Sequence, residues 1–161
     1  MEFESKVIRE FVQDYKVLAN HVKKLKHLSE PCMQNNREKV LKTICHQLIQ
    51  NCEFEEKVIH EYMRSRNEDE FQLMVTINEK YHENISSTIQ EIRDANYSVT
   101  LFPATTKHLA HEVEDHLNNV QKQIFCCLNY YLNKDSDYKL LNRYFTELCK
   151  KSISDTIDRE K

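Results

Sequence analysis

The sequence predicts an all-α protein: an antiparallel up-down-up-down bundle of four helices followed by a short fifth helix. Three observations predict it. The chain of 161 residues contains no glycine and only two prolines, Pro31 and Pro103. Tight hairpins and phosphate-cradling loops draw on glycine, so its absence argues against a β fold and rules out glycine-rich nucleotide motifs. Apolar residues recur at three- and four-residue spacing over long stretches separated by short polar connections.

The helices follow in order. The first runs from about Glu4 to Ser29 and meets Pro31, which cannot continue a helix. The second runs from about Arg37 to Arg66, after the polar "QNN". The third runs from about Asp69 to Ala95. "NYSVTLFPATT" then reads as a connection or a ragged helix start. The fourth runs from about Thr105 to Leu132. "NKDSD" reads as a turn, the fifth helix as about Tyr138 to Ile153, and "SDTIDREK" as a fraying tail. Helices of about 25 residues are about 37 Å long. No repeat or linker divides the chain, so residues 1–161 are expected to form one domain.

Composition narrows the function. Charged residues make up 30% and the formal net charge is −3, interspersed as on a solvated surface. This balance offers nothing to nucleic acid or an anionic membrane. No apolar run is long enough to span a bilayer. "MEFESKVIRE" is too charged for a secretory signal, so a cytoplasmic, reducing location and cysteine thiols are expected. Cys45 and Cys52, a heptad apart, are expected as small buried hydrophobes.

The heptad seams carry the chemistry. The first helix contributes Ile8, Phe11, Tyr15, Leu18, Val22 and Leu25. The second contributes Leu41, Ile44, Leu48, Asn51, Glu55, Val58 and Tyr62. The third contributes Phe71, Val75, Asn78, His82, Ile85, Ile89 and Ile92. The fourth contributes Leu109, Val113, His116, Val120, Ile124, Cys127 and Tyr131. Each seam is apolar at its ends and polar near its middle. In an antiparallel bundle Tyr15, Asn51, Glu55, Asn78, His82 and His116 lie at one depth, with Gln121 in reach. A buried carboxylate needs a proton, an imidazolium or a metal, and inward-facing residues four apart on neighbouring helices are how bundles build metal sites.

With these spacings the sequence resembles the hemerythrin-like (HHE cation-binding) family over almost its whole length. The family's pattern is His on helix one, HxxxE on helix two, HxxxH on helix three and HxxxxD on helix four. The matching positions are Tyr15 in "QDYKVL", "NCEFE" from Asn51 to Glu55, "NEKYH" from Asn78 to His82, and "HLNNVQ" from His116 to Gln121. "EEKVIHEYM", "QKQIFCCL" and "LNKDSDYKLLNRYFTELCKK" resemble the family's helix ends and closing helix. Glu55, His82 and His116 keep the family's residue. Tyr15, Asn51 and Asn78 stand where His is expected, and Gln121 where Asp is expected.

The resemblance implies non-haem iron, one or two per chain, and the sensing or binding of O₂, NO or iron. The three retained residues would make a two-His, one-carboxylate site suited to Fe(II), with Tyr15, Asn51, Asn78 and Gln121 as possible ligands or outer partners. The other reading is a metal-free module, in which the amides form a hydrogen-bonded network around Glu55 and the histidines and function lies in a protein partner.

The remaining features read plainly. His21, His27, His46, His60, His108 and His111 fall off the seams; most are expected at the surface, while His60, which follows Ile59 near a helix end, is open to a place beside the core. "HEVEDH" spaces its histidines five apart, not the four of a zinc-protease helix. His111 and Asp115 are expected to pair. No Ser, Cys or His spacing points to a nucleophile, so an enzyme is not expected, although an open coordination position would permit oxidase or peroxidase chemistry. The aromatics of "CCLNYYL" and "NRYFTEL" are expected either to pack between helices four and five or to form an exposed patch for a partner.

Overall fold

A computed structural model describes residues 3–28, 37–95 and 102–159. Five helices and no strand are found among them. Helix α1 is Lys6–Leu28. Helix α2 spans residues 37–65: an α-helical Arg37–Glu55, a π-helical Glu56–His60 and a final Glu61–Ser65. Helix α3 is Asp69–Asp94. Helix α4 spans residues 102–131, with Phe102–Asn119, a π segment Val120–Phe125, and Cys126–Tyr131. Helix α5 is Lys134–Arg159. The predicted connection at 30–36 lies outside the described residues, as do the Pro31 stop and residues 96–101 of "NYSVTLFPATT"; the rest of that stretch, from Phe102, opens helix α4.

The helix ends have local causes. Between α2 and α3 the chain turns through Asn67, whose φ of 54° is left-handed. Asparagine adopts that conformation more readily than other residues with a side chain, which suits a chain without glycine. Helix α5 is longer than expected at both ends. Asn133 Oδ1 accepts from Ser136 N at 2.9 Å, and Ser136 Oγ accepts from Asn133 N at 3.0 Å. This reciprocal cap turns "NKDSD" into a helix start. Beyond it neither glycine nor proline occurs to stop the helix.

Helix α1 packs against α2, α4 and α5, and α3 packs against α2 and α4, while α5 also covers the π segment of α2. The core is continuous, from Ile8, Phe11, Leu18 and Leu25 through Leu41, Leu48, Met63 and Phe71 to Ile89, Leu109, Val113 and Phe125. Burying each such side chain contributes roughly 1.5–3 kcal/mol. The late aromatics divide between the two expectations. Tyr144 is buried, but against Phe11 and Phe54, each at 5.1 Å between ring centres, so it docks α5 on α1 and α2. Tyr130 and Phe145 are exposed, as is Tyr131, which meets Phe71 edge-on.

Cys45 and Cys52 are buried thiols, and burial pushes the Cys45 thiol up to about 11. No helix among the described residues is long and apolar enough to cross a membrane.

Candidate metal centre

Glu55 is the last α-helical residue of α2 before its π segment, and it is 2% exposed. The Tyr15 hydroxyl donates to its Oε2, and Asn78 Nδ2 donates to its Oε1. Three imidazoles face the same carboxylate. His116 Nε2 lies 3.4 Å from Oε2, and His60 Nε2 and His82 Nε2 lie 3.7 and 3.9 Å from Oε1. The His60 and His82 rings stack at 5.3 Å, and His116 meets His82 edge-on at 4.9 Å.

Burial alone would raise the Glu55 pKa. The charge and hydrogen bond of His116 outweigh it, helped by His60 and His82, and hold the carboxyl well below its usual range. Burial, reinforced by Glu55, pushes the Tyr15 phenol well above its ordinary value, so it stays a donor. His82 is raised: burial opposes its charge, but the hydrogen bond with Glu56 and the Glu55 carboxylate prevail. Glu56, bonded to His82, is lowered.

The outer side of the cluster has its own carboxylates. His82 Nδ1 is 2.7 Å from Glu56 Oε1. A neutral His82 with its proton on Nδ1 directs the Nε2 lone pair inward, the arrangement by which carboxylates orient metal-binding histidines. His60 Nδ1 lies 3.9 Å from Glu79 Oε1, and Glu79 is itself tied to Arg64. Ligand atoms of Glu55, His60 and His82 lie within 4.8 Å of one another, and all three residues are buried. Two imidazole nitrogens and a carboxylate oxygen suit a divalent transition metal.

The structure thus brings together Tyr15, Glu55, Asn78, His82 and His116. It does not bring Asn51 or Gln121. Asn51 is half-buried on the flank of α2 covered by α5, where its Oδ1 lies 3.4 Å from Lys151 Nζ. Gln121 is exposed. Five residues beyond His116, it would sit about 140° round an α-helix, and the π segment of α4 starts too late, at Val120, to bring it back.

The same geometry explains His60, which falls off the seam yet is fully buried. It too lies five residues from a site residue, Glu55. Here the π segment Glu56–His60 falls between the two, and its wider turn returns the fifth residue to the same face. The run Val58, Ile59, His60 and Met63, which fits no single heptad phase, is the signal that could have found it. His21, expected at the surface, is buried in α1 away from this cluster's hydrogen bonds. His27, His46, His108 and His111 are exposed, and His111 pairs with Glu114 at 3.6 Å rather than with Asp115.

No protein-family model matches the chain, and no curated protein or solved structure matches it.

Proposed function

We propose that this protein is a hemerythrin-like, four-helix-bundle domain that binds one non-haem iron or similar divalent metal in its core. The bundle is supported by the pairwise packing of α1 with α2 and α4 and of α3 with the same two helices. The observation that carries the metal reading is the buried convergence of Glu55, His60 and His82, with the outer nitrogen of His82 held by Glu56. Glu55, His60 and His82 would hold the ion, with His116 beside the second carboxylate oxygen. A bound Fe(II) would supply an open position for a small diatomic ligand such as O₂ or NO. Tyr15 would orient Glu55 through its hydroxyl, and Glu56 would fix the tautomer of His82. The described cysteines are thiols, which supports a reducing, cytoplasmic setting.

A metal-free regulatory or interaction module is the second reading. It is favoured by the amide of Asn78, which closes the hydrogen-bonded network around Glu55 without any ion.

Anaerobic loading with Fe(II), removal of excess and elemental analysis separate the two. The metal reading expects about one ion per chain, and loss of that ion from the doubly substituted Glu55→Gln, His82→Ala protein at unchanged helical circular dichroism. Folded wild type that retains no metal favours the module, and retention by the double variant overturns the ligand assignment.

A further inference from the structure

Asn78 Nδ2 sits among the three candidate ligand atoms. It donates to Glu55 Oε1 and lies 2.9 Å from His60 Nε2 and 3.4 Å from His82 Nε2. A primary amide has two protons, so it satisfies two of these acceptors at most. A metal would bond the same atoms at about 2.0–2.2 Å. Amide nitrogen and cation therefore compete for the same lone pairs. The other end of the carboxamide is an oxygen, which is a metal ligand.

Turning a buried amide end for end ordinarily strands its outer group. Here the outer group faces another carboxamide: Asn119 Nδ2, from α4, approaches Asn78 Oδ1 at 3.5 Å. Asn119 is half-buried and can turn as well. The contact between the two amides then persists with its direction reversed. Asn119 also lines a surface groove of about 380 Å³ with Leu73, Met74, Ile77 and Gln123.

We propose that Asn78 and Asn119 form a paired amide switch: nitrogen inward when the site is metal-free, Asn78 oxygen inward as a further ligand when metal binds. In the metal-free state Asn119 donates towards Asn78. In the metal-bound state it accepts, and its NH₂ turns towards the groove. Occupancy of a buried site is thereby read at the surface. The proposal rests on the metal reading above and adds a ligand and an output to it.

Zn(II), which is diamagnetic, is the probe. Its affinity is measured by competition with a chromophoric chelator for wild type, Asn78→Asp and Asn78→Leu, and the Asn119 side-chain amide is followed by ¹⁵N NMR. Asn78→Asp, which offers oxygen without a turn, is expected to bind about tenfold more tightly, and Asn78→Leu about tenfold more weakly. The Asn119 resonances should move on loading in wild type and stay fixed in Asn78→Leu. Zn(II) binding by Asn78→Leu as tight as wild type would make the amide an obstacle only and overturn the switch. So would wild-type Asn119 resonances that do not move. Should Asn78→Leu fail to fold, Asn119→Ala replaces it, with about three- to tenfold weaker binding expected and unchanged affinity overturning the pairing. A folded wild type that binds no Zn(II) overturns the metal reading itself and the switch with it, whereas binding without the amide response overturns the switch alone.

Discussion

Glu55 and His21 show what burial does to a titratable side chain with and without partners. An isolated carboxylate in a core costs several kcal/mol. Glu55 avoids that cost through the donors Tyr15 and Asn78 and the neighbouring imidazoles. His21 is 6% exposed, and its Nδ1 has no hydrogen-bond partner among the described residues. Burial, with Lys24 adding to it, pushes its pKa below the ordinary histidine value. The unfolded chain therefore takes up the His21 proton first as pH falls. Stability from neutral His21 is complete above the unfolded pKa of about 6.5 and declines towards the lower folded value. His21→Leu is expected to flatten the loss of stability between pH 7 and pH 5, read by denaturant titration at both pH values. An unchanged slope would show that His21 does not titrate differently in the two states.

At the scale of the helix, each π segment changes which residues face the core. In α2 it turns His60 and Met63 inward and leaves Tyr62 half-buried, where a continuous heptad would have buried Tyr62. In α4 it buries Phe125 and Leu128 in place of Cys127 and Tyr131. Lys57 is exposed within the first segment, so its removal tests the turn. Deleting Lys57 should restore α-helical phase: His60 becomes the fourth residue after Glu55, so it and Met63 keep the core face on a regular α-helix. We expect stability in urea within about 1 kcal/mol of wild type, with metal retention above that of His60→Ala. A loss of about 2–5 kcal/mol, as from a displaced core side chain, would mean that the deletion does not restore that phase.

The whole molecule is tied at one end by contacts between helices distant in sequence. The first turn of α1 is capped by residues of α4 and α5. Asp137 accepts from Ser5 Oγ at 2.7 Å, Lys6 N at 2.9 Å and Val7 N at 3.2 Å. Asn129 Oδ1 accepts from Glu4 N and Ser5 N at 3.0 and 3.1 Å. These bonds supply partners for backbone donors that a helix start leaves open. Asp137→Ala is expected to destabilise the protein by about 1–2 kcal/mol, with faster amide exchange at Lys6 and Val7. Exchange there as slow as in wild type would mean that another group takes over the cap.

Periodicity, with the absence of glycine and the polar connections, determined the all-helical class and most helix limits, because an amphipathic stripe is a local property written every three or four residues. It also placed Tyr15, Glu55, Asn78, His82 and His116 at one level of the core. Asn51, Gln121 and His60 escaped it, since their orientation depends on features outside a regular repeat: the cover of α5 over α2, and the position of each π turn relative to its site residue. Tertiary structure alone decided the partners of Glu55, the docking of Tyr144 and the cap on α1. Those are contacts between side chains far apart in the chain, and their energies depend on distances that no local spacing specifies.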